Sequence, residues 1–205
     1  MDILGYGEDA LTLWALKNKL PAMLEKLDDK SSLSECKALF RPSFGRRGGE
    51  NKAQFGEFDF ILLSKEQLYL GESKWHRSSE NINNGLLELR EEQRLRHKVF
   101  RFYVEEWAFG KYTSWSEFEK AATIKLQTYN IYKPIAPAAS LLRANLTTVL
   151  DIIKQHFGIL PPIKNVLLYL YYGSTTHLPP KSEATDFEVV SIDCSEGVTE
   201  NFVIL

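Results

Sequence analysis

The chain has only two cysteines in 205 residues, no long apolar run and almost balanced charge. Cys36 and Cys194 lack the paired spacing of a zinc site, so we expect free thiols and a cytoplasmic protein. The longest apolar run, 166–172, is far shorter than the roughly 20 residues that cross a bilayer. Because the first residues are acidic and not basic, we expect no signal peptide. These absences predict a protein without membrane association.

Several enzyme signatures are also missing. The chain has no Ser/His/Asp set and no glycine-rich phosphate loop that opens a helix. Its net charge of −2 gives no overall attraction to nucleic acid. Any contact with a phosphate backbone must therefore come from local basic patches.

The segment 55–75, FGEFDFILLSKEQLYLGESKW, is the most informative stretch that the chain does contain. Two apolar runs flank a short polar segment, a pattern that predicts a β-hairpin. If the turn is symmetric about Lys65 and Glu66, the numbers of paired residues sum to 131, and Asp59 then faces Glu72. Opposed residues on antiparallel strands have Cβ atoms roughly 4.5 to 5.5 Å apart. The register therefore brings two carboxylates together.

Asp59, Glu72 and Lys74 fall on one face of this hairpin, because side chains alternate between the faces of a strand. Both strands are apolar on both sides, which predicts that both are buried. Buried carboxylates need neutralisation, an ion pair or a metal ion. Two oxygen ligands suit Mg²⁺, with Mn²⁺ as the alternative. A purely structural ion cluster of the same three residues is the competing interpretation.

An Asp on one strand followed by Glu-x-Lys on the next resembles the core motif of the PD-(D/E)XK nuclease superfamily. The resemblance implies an α/β fold with a restriction-endonuclease-like central mixed β-sheet, flanked by helices on both faces. It further implies that Asp59, Glu72 and the main-chain carbonyl of Ser73 hold Mg²⁺, while Lys74 assists catalysis. Members usually carry a further catalytic Glu on a preceding helix, which the resemblance implies would be Glu8, binding a second metal ion or its water. Glu25 is the substitute. Phe58 stands where most members have Pro.

Four segments in order, GYGEDAL, LPAMLEKL, LYLGESKW and LLYLYYGS, are similar to the nuclease subunit of Hachiman-type antiviral defence systems. That resemblance implies a bacterial antiphage or restriction function and a helicase-like partner protein. The expected function is Mg²⁺-dependent hydrolysis of DNA phosphodiester bonds. A catalytically inactive, nucleic-acid-binding or scaffold subunit is the alternative. Endo- or exonuclease action and a homo-oligomeric state are both left open by the sequence.

Two basic segments are candidate contacts to DNA phosphates. The first is a glycine-rich loop that leads into the hairpin, and the second is a stripe on a following helix that also carries His97. The candidate residues are Arg41, Arg46, Arg47, Lys52, Arg90, Arg94 and Arg101. Such contacts are largely independent of base sequence. A solvated loop and a salt-bridged solvent face are the competing interpretations.

The remaining elements follow from apolar periodicity and from helix start and stop signals. We expect one domain over residues 1–205, with a helical segment 114–157 inserted before the late strands. Pro21 is expected to kink or divide the first helix, and Ser114 to open another through a capping box. The predicted helices are 7–28, 86–107, 114–129 and 138–157, and the further predicted strands are 33–40, 165–172, 187–193 and 202–205.

Overall fold

The computed structural model describes residues 3–45, 52–77, 82–83, 86–173, 181–182, 184–200 and 202–205. Over these residues the chain is a mixed α/β protein with a five-stranded mixed sheet and five α-helices. It divides into two compact units. The first comprises Met1–Phe40, Asp59–Leu89 and Lys164–Leu205, and the second comprises Arg41–Phe58 and Arg90–Ile163. None of the described helices is long and apolar enough to cross a membrane.

The strands, numbered in chain order, include several of only two residues. They are β1 Leu4–Gly5, β2 Lys37–Phe40, β3 Ser43–Phe44, β4 Gly56–Glu57, β5 Phe60–Leu63, β6 Leu68–Trp75, β7 Ile82–Asn83, β8 Leu86–Leu87, β9 Ile163–Tyr171, β10 Lys181–Ser182, β11 Phe187–Asp193, β12 Val198–Thr199 and β13 Phe202–Ile204. The helices are α1 Gly7–Asn18, α2 Leu20–Lys26, α3 Glu91–Tyr103, α4 Trp115–Thr128 and α5 Leu141–Phe157.

The main sheet has the strand order β11-β9-β6-β5-β2. Strands β2, β5 and β6 pair antiparallel, whereas β9 and β11 pair parallel. Strand β6 lies in the middle of this sheet and is buried over almost its whole length. The prediction of a mixed sheet that contains the hairpin is therefore confirmed.

The hairpin of β5 and β6 has the predicted register. Phe60 pairs with Gly71 and Leu63 with Leu68, so the paired numbers sum to 131. The turn is closed by Ser64, whose amide donates to the carbonyl oxygen of Gln67 at 3.0 Å. The ring of Phe60 lies over Gly71, where a Cβ atom would overlap it. This contact aligns Phe60, the first residue of β5 and the residue after Asp59, against β6.

Helices α1 and α2 pack on one face of the sheet. Their buried residues, including Trp14 and Met23, share a core with Tyr69 of β6 and Leu168 of β9. Pro21 stands at the start of α2, so the predicted division of the first helix at this residue is confirmed. A smaller core that includes Leu87, Leu167 and Phe187 forms separately.

Two predicted elements need correction. Residues Leu33–Glu35 form a 3₁₀ turn and not a strand, because Ser32 and Glu35 make a capping box. Strand β8 occupies the start of the predicted helix 86–107, because Leu86 and Leu87 pair in parallel with β10. The predicted strand at 202–205 is confirmed as β13, which pairs with β1 and β12 in a separate small sheet.

The second unit contains β3, β4 and helices α3 to α5, and its core is largely aromatic. The ring of Phe44 stacks on Phe55 with centroids 5.0 Å apart, and Tyr103 stacks on Trp115. Helix α4 begins directly after Ser114, whose hydroxyl accepts from the amide of Glu117 at 3.3 Å, as the capping box predicts. Helix α5 ends at Phe157, and the following Gly158 has a φ of +70°.

Candidate active site

Strand β6 extends beyond its neighbour β5, and this overhang creates the candidate site. The pairing of β5 with β6 ends at Phe60 and Gly71, whereas β6 continues to Trp75. Successive residues of a strand direct their amides to alternate sides. Since the amide of His76 bonds to Leu170 of β9, the amides of Ser73 and Trp75 face the β5 side, beyond the end of β5.

Two carboxylates accept the backbone hydrogen bonds that a neighbouring strand would otherwise accept from this part of β6. The amide of Ser73 donates to Oδ2 of Asp59 at 2.7 Å. The amide of Trp75 donates to Oε2 of Glu8 at 2.8 Å. Each bond satisfies a backbone donor that would otherwise lack a partner. Glu8 and Asp59 are thereby held side by side along the edge of β6.

Glu8, and not Glu25, is the helix carboxylate at this edge. Glu8 lies in the first turn of α1, where a negative charge is favoured by the helix dipole. Its carbonyl oxygen accepts from the hydroxyl of buried Thr12 at 2.7 Å, which anchors this turn. Glu25 lies on α2, is exposed, and lines a separate cleft with Pro21.

Glu72 and Lys74 bring further charge to the same place. Their side chains are only 1% and 6% exposed, and Ser73 between them is fully buried. Asp59 is the residue that would pair with Glu72 if β5 were one residue longer. The electrostatic neighbours of Asp59 are Glu72, Glu8 and Lys74. The structure therefore brings together the four side chains that the sequence suggested.

The pKa of Asp59 reflects this crowding. Burial raises the pKa of its carboxyl, and the charges of Glu72 and Glu8 raise it further, to about 7. The amide of Ser73 and the ammonium of Lys74 act in the opposite direction but do not compensate. A cation bound beside Asp59 would favour the ionised form of its carboxyl.

The donor set fits a magnesium-type ion better than a zinc-type ion. Asp59, Glu72 and the carbonyl of Ser73 offer only oxygen, and Mg²⁺ typically takes one or two protein carboxylates and fills its other positions with water and phosphate. Within the described part of the chain, no group of three or more His, Cys, Asp or Glu residues is placed to hold a metal ion.

The cysteines take no part in this site. Both are free, as the sequence predicts. Cys194 is fully buried, and burial raises the pKa of its thiol to about 12. A thiol that stays protonated at neutral pH is a poor nucleophile.

The candidate phosphate contacts of the glycine-rich loop belong to the second unit. Arg41 is paired with Glu57, to which its Nε donates at 3.0 Å. Lys52 is exposed. Arg46 and Arg47 lie outside the described residues.

The helical stripe is only partly exposed. His97 is 2% exposed, and its ring lies 4.9 Å from that of Phe58. Arg101 donates to the carbonyl oxygen of Ile163 at 2.9 Å, and Arg94 is half-buried. Only Arg90, at the start of α3, is exposed. Much of the stripe therefore packs within the second unit, because the aromatic core covers this side of α3.

Two features were not found from the sequence. Arg96 lies 5.7 Å from the ring of Phe58 and donates to the carbonyl of Glu57, so it ties α3 to β4. The sequence did not indicate Arg96, because it lies outside the regular spacing of Arg90, Arg94 and Arg101. The second feature is a group of aromatic rings around Trp75, beside the carboxylates. Their sequence signal was weak, because Tyr6, Trp75 and Tyr172 are far apart in the chain.

Comparison of the chain with protein-family models, with curated proteins and with solved structures finds no match.

Proposed function

We propose that this protein is a metal-dependent nuclease of the PD-(D/E)XK kind that hydrolyses DNA phosphodiester bonds. The observation that carries the proposal is the convergence of Glu8, Asp59, Glu72 and Lys74 at the overhang of β6. Burial and the charges of Glu72 and Glu8 raise the pKa of Asp59, and a bound cation would favour its ionised form.

Asp59, Glu72 and the carbonyl oxygen of Ser73 would hold Mg²⁺, with Mn²⁺ as the alternative. When bound, the ion supplies positive charge to the scissile phosphate and lowers the pKa of an attacking water. The alternation of the strand directs the carbonyl of Ser73 to the same side as its amide, and hence toward Asp59. All three oxygen donors thus lie at one edge of β6.

The protein's own groups have distinct roles in the proposed reaction. A water oxygen attacks phosphorus, the bond from phosphorus to the leaving sugar oxygen breaks, and the water's proton passes to solvent. Lys74 stabilises the negative charge that develops on the phosphate oxygens. Glu8 orients the water, since its bond to the Trp75 amide holds its carboxylate at the edge of the site. The leaving oxygen takes a proton from solvent.

The direct test is cleavage of labelled DNA with Mg²⁺ by the wild type and by Lys74→Ala. Loss of one such charge-stabilising group typically slows the reaction about 10²- to 10³-fold. Lys65→Ala is the matched control, because Lys65 lies in the turn of the same hairpin and is 60% exposed. The control should cleave DNA at the wild-type rate. Equal cleavage by wild type and Lys74→Ala would refute the assigned role.

A non-catalytic, nucleic-acid-binding subunit is the second candidate. The observation in its favour is that the described residues include no group of three or more His, Cys, Asp or Glu side chains that could hold a metal ion. Calorimetric titration with Mg²⁺ separates the two functions. The nuclease requires an affinity that Asp59→Asn and Glu72→Gln each weaken, whereas a scaffold would show no such dependence.

The Hachiman resemblance adds a proposal about context, namely that the nuclease acts in antiviral defence together with a helicase-like protein. Such an enzyme would cleave slowly alone and faster once its partner has opened the duplex. Phage plaque counts in cells that carry the chain with its partner, in wild-type and Lys74→Ala forms, test this. Equal plaque counts for the two forms would contradict a defence function that depends on cleavage.

A further inference from the structure

Beyond the carboxylates, the end of β6 carries a group of aromatic rings and one cation. Tyr172, which follows β9, stacks on Trp75 with ring centroids 6.1 Å apart. His76 meets Tyr172 edge-on at 4.8 Å. Tyr6 meets Trp75 edge-on at 6.2 Å. We call Tyr6, Trp75, His76 and Tyr172 the aromatic platform.

Arg77 adds positive charge to this platform. Its guanidinium carbon lies 4.9 Å from the ring centroid of Tyr172 and 6.0 Å from that of Trp75. Arginine over an aromatic ring is a common arrangement in sites that bind nucleic-acid bases and the phosphates between them. The cation and the rings therefore form a mixed surface and not a purely apolar one.

Part of the platform is exposed beyond what core packing requires. Tyr6 is 66% exposed although it touches both Trp75 and Phe202, and Phe202 is itself 45% exposed. Single exposed aromatic residues are ordinary, but a contiguous patch of exposed aromatic side chains next to a cation indicates a binding surface.

The platform adjoins Glu8 through the chain itself. The amide of Trp75 is the donor to Glu8, and the Trp75 ring lies on the opposite face of β6 from Glu72 and Lys74, because side chains alternate along a strand. Tyr6 stands at the N-cap position of α1, two positions before Glu8. A nucleic-acid strand bound at Glu8 and Asp59 would thus have a neighbouring nucleotide beside the rings. Paired and stacked bases of a duplex have no free face for such rings, whereas unpaired bases do.

We infer that the aromatic platform stacks the unpaired bases of single-stranded nucleic acid next to the cleavage site. This inference rests on the proposed nuclease function, and it adds the substrate form, a single strand or an unwound end. Stacking on aromatic side chains is tolerant of base identity. The platform therefore supplies affinity for unpaired strands without sequence preference.

The test is anisotropy titration of a labelled 20-nucleotide single strand in EDTA, on an Asp59→Asn background that cannot cleave. Tyr6→Ala should weaken binding about fivefold or more, since one base stack corresponds to roughly 1 to 3 kcal/mol. Tyr132→Ala is the matched control, because it removes a similarly exposed tyrosine, 75% against 66% for Tyr6, from the second unit. It should bind as the background does. Tyr172→Phe, which keeps the ring, should also retain most of the affinity.

An abasic strand of the same length provides the sharper comparison. It has the same phosphates but no bases, so the Asp59→Asn background should bind it weakly, and Tyr6→Ala should change that binding little. If the abasic and ordinary strands bind equally, or if Tyr6→Ala has no effect on the ordinary strand, the inference is wrong. Cleavage by the wild type with Mg²⁺ is measured separately. If the wild type cleaves DNA but binding does not depend on the bases, the inference about the platform is wrong and the proposed nuclease function stands. If binding depends on the bases but no DNA is cleaved, the proposed nuclease function is wrong and the platform stands.

Discussion

The Asp59→Asn substitution should change how the stability of the metal-free protein depends on pH. The carboxyl of Asp59 has a pKa raised from 3.8 to about 7, first by burial and then by Glu72. A group whose pKa is raised by folding stabilises the protein fully at pH below its unfolded pKa. That contribution is lost as pH rises through the folded pKa. Between about pH 4 and pH 7 the wild type should therefore lose stability that the Asn variant keeps.

The magnitude follows from the shift in pKa. Each tenfold change in proton affinity corresponds to about 1.4 kcal/mol, so a rise from 3.8 to about 7 corresponds to roughly 4 kcal/mol at most. Relaxation of the half-buried side chain reduces this figure. Asn can still accept the hydrogen bond from the amide of Ser73, so the substitution removes the charge and retains the contact. We expect Asp59→Asn to be the more stable protein at pH 8 in EDTA, by about 1 to 4 kcal/mol.

The assay is urea unfolding of both proteins from pH 4 to pH 8, first in EDTA and then with Mg²⁺. The difference between their free energies of unfolding isolates Asp59 from the other titrating groups. Mg²⁺ at about 100 times its dissociation constant should stabilise the wild type by about 2.7 kcal/mol at pH 8. The variant should gain much less. Parallel pH profiles, or an Asn variant that is the less stable at pH 8 in EDTA, would show that the carboxylates do not repel one another as argued.

Other substitutions test the parts of the site and fold. Glu8→Gln should slow Mg²⁺-dependent DNA cleavage about 10- to 100-fold, whereas Glu25→Gln on the exposed side of α2 should not, and equal rates would remove Glu8 from the site. Gly71→Ala should lower the free energy of unfolding by about 1 to 3 kcal/mol, because the added methyl group overlaps the ring of Phe60; an unchanged urea midpoint would contradict that contact. Ser140→Ala should cost about 1 kcal/mol in the same measurement, because it removes the cap of α5, and no loss would mean that the cap is dispensable.

The hairpin was the most predictable part of the structure. Once the position of the turn is known, every residue pair of the two strands follows from it. The turn between Ser64 and Gln67 makes the residue numbers of each pair sum to 131. Helices α4 and α5 were nearly as predictable, because Ser114 and Gly158 mark a helix start and a helix end chemically. These features depend on interactions between residues that are close in the chain.

The helical stripe and the strand β8 were not predictable in the same way. Spacing shows that Arg94, His97 and Arg101 share a face of α3, but it does not show what covers that face. The buried contact of His97 with Phe58 depends on a residue almost 40 positions away. Likewise, Leu86 and Leu87 form a strand only because β10, far along the chain, pairs with them. Tertiary partners overrode the local helical preference.

By itself, the sequence determined the opposition of Asp59 and Glu72 and the place of Lys74 beside them, because strand alternation and a short turn leave little freedom. Only the tertiary structure decided between Glu8 and Glu25, by placing the first turn of α1 against the overhanging amide of Trp75. It alone brought Tyr6 and Tyr172 to Trp75. The physical reason is that contacts between distant segments depend on how whole elements pack, and local periodicity carries no information about that packing.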